Sequence, residues 1–78
     1  MPHDDPSAID LRALDPPAPM VQIFESLASY RGGELRFLLR MEPRPIYRHL
    51  ERQGFSHRLD GGAEGFELVV WRRDAAIT

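Results

Sequence analysis

Seventy-eight residues, a net charge of −2 and no cysteine describe one small domain and exclude disulfides, thiolate metal sites and cysteine catalysis. At this size folding buries roughly 60–65% of the chain's surface, enough for one thin core and too little for a deep, enclosed active site. No apolar run approaches the roughly 20 residues that a membrane span requires. The first residues lack a basic stretch followed by an apolar one, so the sequence predicts no signal peptide and a cytoplasmic setting.

The charge is unevenly spread. Residues 1–15 carry Asp4, Asp5, Asp10 and Asp15 against Arg12, whereas residues 36–58 carry six arginines against Glu42 and Glu51. All ten basic residues are arginine. Arginine offers a bidentate hydrogen-bonding fork that lysine lacks, but GC-rich coding produces the same bias.

In chain order, residues 1–7 read as a disordered, solvated tail, and residues 8–78 as the domain. Ile9-Asp10-Leu11-Arg12 alternates as a short strand. Met20, Ile23, Phe24, Leu27 and Tyr30 or Arg31 recur at helical spacing, predicting a helix of about 14 residues that stops at Gly32-Gly33. Glu34 to Arg40 is an apolar second strand suited to a central position. A second helix follows from Pro43, buries Ile46, Tyr47 and Leu50, and ends before Gly54. Phe55 to Asp60 and Phe66 to Arg73 are strands joined by a glycine-rich hairpin. Phe66, Leu68 and Val70 alternate with Glu67, Val69 and Trp71, so one face of the last strand is buried.

The order β-α-β-α-β-β predicts an α+β two-layer sandwich, a four-stranded mixed sheet with both helices on one face. Two right-handed β-α crossovers imply parallel neighbours, and the hairpin adds an antiparallel strand. Both helices begin alike, at Pro17-Ala18-Pro19-Met20 and Pro43-Arg44-Pro45-Ile46. Proline is tolerated in the first turn because those N–H groups have no intrahelical partner. Parallel strands aim both helix starts at one sheet edge, where ligands of open α/β sheets bind. Arg12, Arg40 and Arg44 are expected there with the positive ends of two helix dipoles, an arrangement that suits a small anion. The prolines remove most backbone donors, leaving the N–H groups of Ala18 and Arg44, and Asp15 and Glu42 can satisfy the arginines internally.

Leu11-Arg12-Ala13-Leu14-Asp15-Pro16-Pro17-Ala18-Pro19-Met20 resembles the Leu-Arg-Gly-Leu-x-Cys-Pro-x-Pro opening of the TusA-like (SirA-like) sulfur-carrier family, with Pro16 at the cysteine's position. Glu42-Pro43-Arg44-Pro45-Ile46-Tyr47 resembles the Asp/Glu-Pro-Arg-Pro-Leu-Tyr signature of an uncharacterised TusA-related bacterial family, found as stand-alone proteins or beside hemerythrin-like modules. The resemblance covers roughly residues 8–73. It implies the two-layer fold, shared with the C-terminal domain of translation initiation factor three, and a setting in bacterial redox, sulfur or metal metabolism. A persulfide relay needs a thiolate, and this chain has none. Many relatives in that family carry histidines near the positions of Met20 and Met41; here both are methionine, so the resemblance implies no histidine-based metal role.

The sequence therefore points to a non-enzymatic binding module without a cofactor. It presents Arg12, Pro16, Pro17, Met20, Arg40, Met41 and Arg44 to a protein partner or small ligand, with Tyr30, Tyr47 and Trp71 as exposed aromatic anchors. Two other classes compete. Met20 and Met41 as thioether ligands would make a Cu(I) or haem sensor, although methionine commonly fills core gaps. Arg44, Arg48 and Arg52, four residues apart on the second helix, would form a nucleic-acid stripe, against which stand the net negative charge and the lack of interleaved aromatics. His49 and His57 form no evident ligand set, and His49 is expected near the polar face of its helix. No serine sits in a nucleophile elbow, and the Asp15–Glu42 pair lies at an open edge that does little to raise a carboxylate's pKa.

Overall fold

The computed structural model describes residues 8–74; the tail expected at residues 1–7 lies outside them. The elements follow the order β1 (Ala8–Asp10), α1 (Ala18–Ala28), β2 (Glu34–Leu39), α2 (Arg44–Gln53), β3 (Phe55–Gly62) and β4 (Gly65–Arg72). This is the expected α+β sandwich with a four-stranded mixed sheet.

The strand order is β1-β2-β4-β3. β1 pairs parallel with β2, while β4 pairs antiparallel with both β2 and β3. The second crossover therefore joins strands of like direction that are not neighbours. The expectation of parallel neighbours fails there because the hairpin folds β4 back into the gap. The central position suits β4, whose Leu68, Val69 and Val70 are fully buried. The hairpin is also tighter than expected, with Gly62 paired to Gly65 across a two-residue turn.

Register sorts the side chains between two faces. Leu35, Phe37 and Leu39 pair with Val70, Leu68 and Phe66, and Ile9 and Leu59 align with Phe37 and Leu68. Ile23 and Leu27 of α1 and Ile46 and Leu50 of α2 join them in one core, so both helices cover this face. Each fully buried Ile, Leu or Phe contributes roughly 1.5–3 kcal/mol relative to exposure. The other face carries Glu34, Arg36 and Leu38 opposite Trp71, Val69 and Glu67. Arg36 bridges Glu34 at 3.0 Å and Glu67 at 3.2 Å.

α1 stops at Ala28, short of the predicted Tyr30 or Arg31. The Ser29 hydroxyl and amide both turn back to the Glu25 carbonyl, closing the last turn. Tyr30 then packs edge-on against Phe55, with ring centroids 5.2 Å apart. Its hydroxyl donates to the Gly33 carbonyl and accepts from the Arg72 amide, tying the α1–β2 loop to β4. α2 ends at Gly54, whose φ of 82° makes the left-handed cap that glycine adopts without a Cβ clash.

Gly65 has a φ of 125°, and a Cβ there would lie 2.7 Å from the Leu39 carbonyl oxygen. Gly65→Ala is expected to destabilise the domain by more than about 1 kcal/mol. Gly62→Ala, whose Cβ meets nothing within 4 Å, serves as the control. Urea unfolding checks this, and equal midpoints for the two variants would contradict the close approach of the hairpin to β2.

Candidate functional site

Strands β1 and β2 point the same way, so the helices that follow them start side by side at one edge of the sheet. Between those starts lies an apolar groove of about 370 Å³. Leu11 and Leu39 come from the strand ends, and Leu14, Pro16 and Pro17 from the loop into α1. Pro19, Met20 and Ile23 of α1 form one wall, and Arg40, Met41, Glu42, Pro43 and Pro45 complete the other. Five of the chain's seven prolines thus line one groove, and proline contributes no N–H.

The helix starts offer few donors into this space. Neither helix has a side-chain N-cap. The Ala18 amide donates to the Asp15 carbonyl at 2.9 Å and the Arg44 amide to the Glu42 carbonyl at 3.0 Å, so both amides expected for an anion are already engaged. The Ile46 amide likewise reaches the Pro43 carbonyl. The Pro16–Pro17 peptide bond is cis.

Five of the seven residues expected at this edge line the groove: Pro16, Pro17, Met20, Arg40 and Met41. Met20 is half-buried and packs against the core, while Met41 stands 65% exposed. Arg12 and Arg44 do not join them. Arg12 folds back on Asp10, with Nε and Nη2 donating at 2.9 and 2.8 Å, and borders a second depression beside the β3–β4 hairpin. Arg44 donates to Glu42 at 3.2 Å and is 82% exposed. Two residues of like charge separate because each has a carboxylate two positions away.

Two charged residues remain in the lining. Glu42 accepts from Arg44 through Oε1 and from the Tyr47 hydroxyl through Oε2. Burial, followed by that hydrogen bond to Glu42, raises the Tyr47 phenol above its ordinary value. Arg40 Nη2 lies 3.5 Å from the Leu14 carbonyl and 3.6 Å from Asp15. Both contacts are long.

The aromatic anchors read from the sequence lie elsewhere. Tyr30, Tyr47 and Trp71 are half-buried rather than exposed. Tyr47 stacks on His57 at 4.8 Å. His49 is also half-buried, edge-on to Phe24 at 4.7 Å, and so helps join the two helices rather than facing water. Arg44, Arg48 and Arg52 of α2 are all exposed. No group of three or more His, Asp or Glu side chains is placed to hold a metal ion among the described residues. No helix there is long and apolar enough to cross a membrane.

Leu11, Leu14, Pro19, Ile23, Leu39, Glu42, Pro43 and Pro45 complete the lining, although the sequence did not mark them as site residues. The signal that would have found them is the repeated Pro-x-Pro at two helix starts facing one edge.

Fold and site together define a small α+β sandwich with a donor-poor groove between two proline-bearing helix starts. Residues 8–72 match the model of a family described as an uncharacterized conserved protein family, DUF2249, and the chain belongs to it. No curated protein and no solved structure matches the chain.

The Arg12 fork holds the Asp10 carboxyl at about 2, well below the usual 3.8, chiefly through the side-chain hydrogen bond. Because the folded value is depressed, the contribution of this contact to stability is complete above pH 3.8 and is lost as pH falls toward 2. A carboxyl-detected NMR titration of Asp10 is expected to show a midpoint near 2. Arg12→Gln should return it toward 3.8; a midpoint that stays low in the variant would contradict the assigned cause.

Proposed function

We propose that this chain is a non-enzymatic binding module that takes a ligand into the groove between the two helix starts. The observation that carries the reading is the groove itself. Its volume falls within the range of small-molecule sites, and its walls are apolar with few polar groups, as such sites are. A chain without cysteine has no thiolate with which to relay sulfur. The small, open edge gives no means of excluding water around a catalytic group.

The resemblance to the TusA-like scaffold belongs to this proposal. There the corresponding edge carries the reactive thiol, and Pro16 stands in its place here. A module of this kind would retain the position of the site while replacing covalent carriage with non-covalent binding. It would serve in bacterial redox, sulfur or metal metabolism, in the cytoplasm, with a small molecule or a group of a partner protein as its cargo.

One observation favours a second reading. Met20 and Met41 line the same groove, and two thioethers are soft ligands suited to Cu(I). The stripe of Arg44, Arg48 and Arg52 has no comparable support, since Arg44 is already paired with Glu42.

A two-dimensional amide NMR titration of the purified domain with a set of small apolar compounds, Cu(I) and a short single-stranded RNA tests these readings. Saturable shifts from apolar compounds are expected for residues 11–23 and 39–46. Leu14→Asp, which puts a charge into the lining, should weaken them at least about tenfold. Shifts confined to the helix-free face, or none from any apolar compound, would overturn the proposal. Saturable shifts from Cu(I) alone would replace it with the metal reading.

A further inference from the structure

We propose that the groove takes an aromatic carboxylate, with its ring system between the proline and methionine walls and its carboxylate on Arg40. This ligand class rests on the groove being a ligand site.

The walls argue for an aryl body. No aromatic side chain lines the groove, so any aromatic surface must come from the ligand. Proline rings and aromatic faces are mutually complementary surfaces, the pairing that aromatic-lined grooves use when they hold proline-rich peptides. Here the roles are reversed, with prolines from both helix starts facing inward. The thioethers of Met20 and Met41 add the favourable contact of sulfur with a ring edge. A volume of about 370 Å³ lies near the lower end of small-molecule sites, which suits one or two fused rings. Fixed proline φ values hold the walls in place before binding, which lowers the ordering cost.

The rim argues for a single negative charge. Of the two charged lining residues, Glu42 has both carboxylate oxygens engaged, by Arg44 and by Tyr47. Arg40 uses only Nη2, at 3.5 Å to Leu14 and 3.6 Å to Asp15. Its Nε and Nη1 have no hydrogen-bond partner among the described residues. Asp15 is 91% exposed, so its long ion pair with Arg40 is screened by water and easily exchanged. Because Nη2 is held only by these long contacts, exchanging Asp15 for a ligand opens an Nη1/Nη2 or Nε/Nη2 edge, which matches a carboxylate in bidentate geometry. The remaining lining offers a polar ligand almost nothing, since proline lacks an N–H, so a ligand polar throughout would lose its hydration without replacement.

The test uses the purified domain and two probes of nearly the same shape, 2-naphthoate and its neutral analogue 2-naphthalenemethanol, with decanoate as the aliphatic acid. Amide NMR follows all three titrations. The naphthoate is expected to bind at the groove about tenfold or more tighter than the alcohol, the effect of one charge-assisted hydrogen-bonded pair. Arg40→Gln, at an exposed position outside the core, should bring the affinities of acid and alcohol together; an undiminished preference for the acid in this variant would overturn the role of Arg40. Equal binding of acid and alcohol by the unmodified domain would overturn the carboxylate assignment while leaving the groove reading intact. Tighter binding of decanoate than of naphthoate would overturn the aromatic assignment in the same way. Failure of all three probes, with other apolar compounds still shifting the groove, would overturn the ligand class as a whole. Failure of every apolar compound would remove the groove reading itself.

Discussion

β1 and β2 run parallel, each is followed directly by a helix, and both helices pack on the same face of the sheet. The parallel pairing sends the chain into α1 and α2 from one edge, so the two helix starts meet there. Ile23 and Leu27 of one helix and Ile46 and Leu50 of the other hold this arrangement by sealing against Phe37, Leu39, Leu68 and Val70. The hydrophobic effect is non-directional, and it is the sheet register that fixes where the helices begin. If β1 ran antiparallel to β2, the same proline-bearing segments would lie at opposite ends of the domain, with no groove between them.

What fills that edge is decided by proline. In many α/β proteins a helix start is a ready anion site, because its N–H groups point outward with the positive end of the dipole. Here Pro17 and Pro19, and Pro43 and Pro45, replace donors with rings, and the Ala18 and Arg44 amides turn back to nearby carbonyls. The edge becomes an apolar surface with one incompletely paired guanidinium at its rim. That surface differs from the donor-rich helix starts that hold phosphate.

The fold was legible because its signals are local. Helical spacing marked both amphipathic helices, Gly54 marked the end of α2, and the alternation in Phe66 to Trp71 marked the buried face of β4. The insertion of β4 between β2 and β3 was not legible, because strand order depends on non-local pairing that one strand's pattern does not encode. At the site, the Pro-x-Pro repeat and the two methionines were visible as a shared edge. The fates of the arginines were less so. Asp10 captures Arg12 and Glu42 captures Arg44, each over two residues, whereas the partners of Arg40 arrive from a distant loop. The spacing Asp10-x-Arg12 held the first of these pairings, but a charge two positions away reads equally well as a solvated strand face. The prolines told against a donor-rich edge, but the groove itself was not legible, because its walls meet only through the parallel pairing of β1 and β2.

On the proposed reading, the helix-start edge is a binding groove with Met20 and Met41 in its walls. Methyl-labelled methionine offers the most direct view of it. In a sample carrying 13C-methyl methionine and saturated with 2-naphthoate, nuclear Overhauser contacts are expected from the Met20 and Met41 methyl groups to the naphthyl protons, and should vanish when the probe is displaced. A bound naphthoate without contacts to either methyl, or methyl resonances that ignore the probe, would contradict the account.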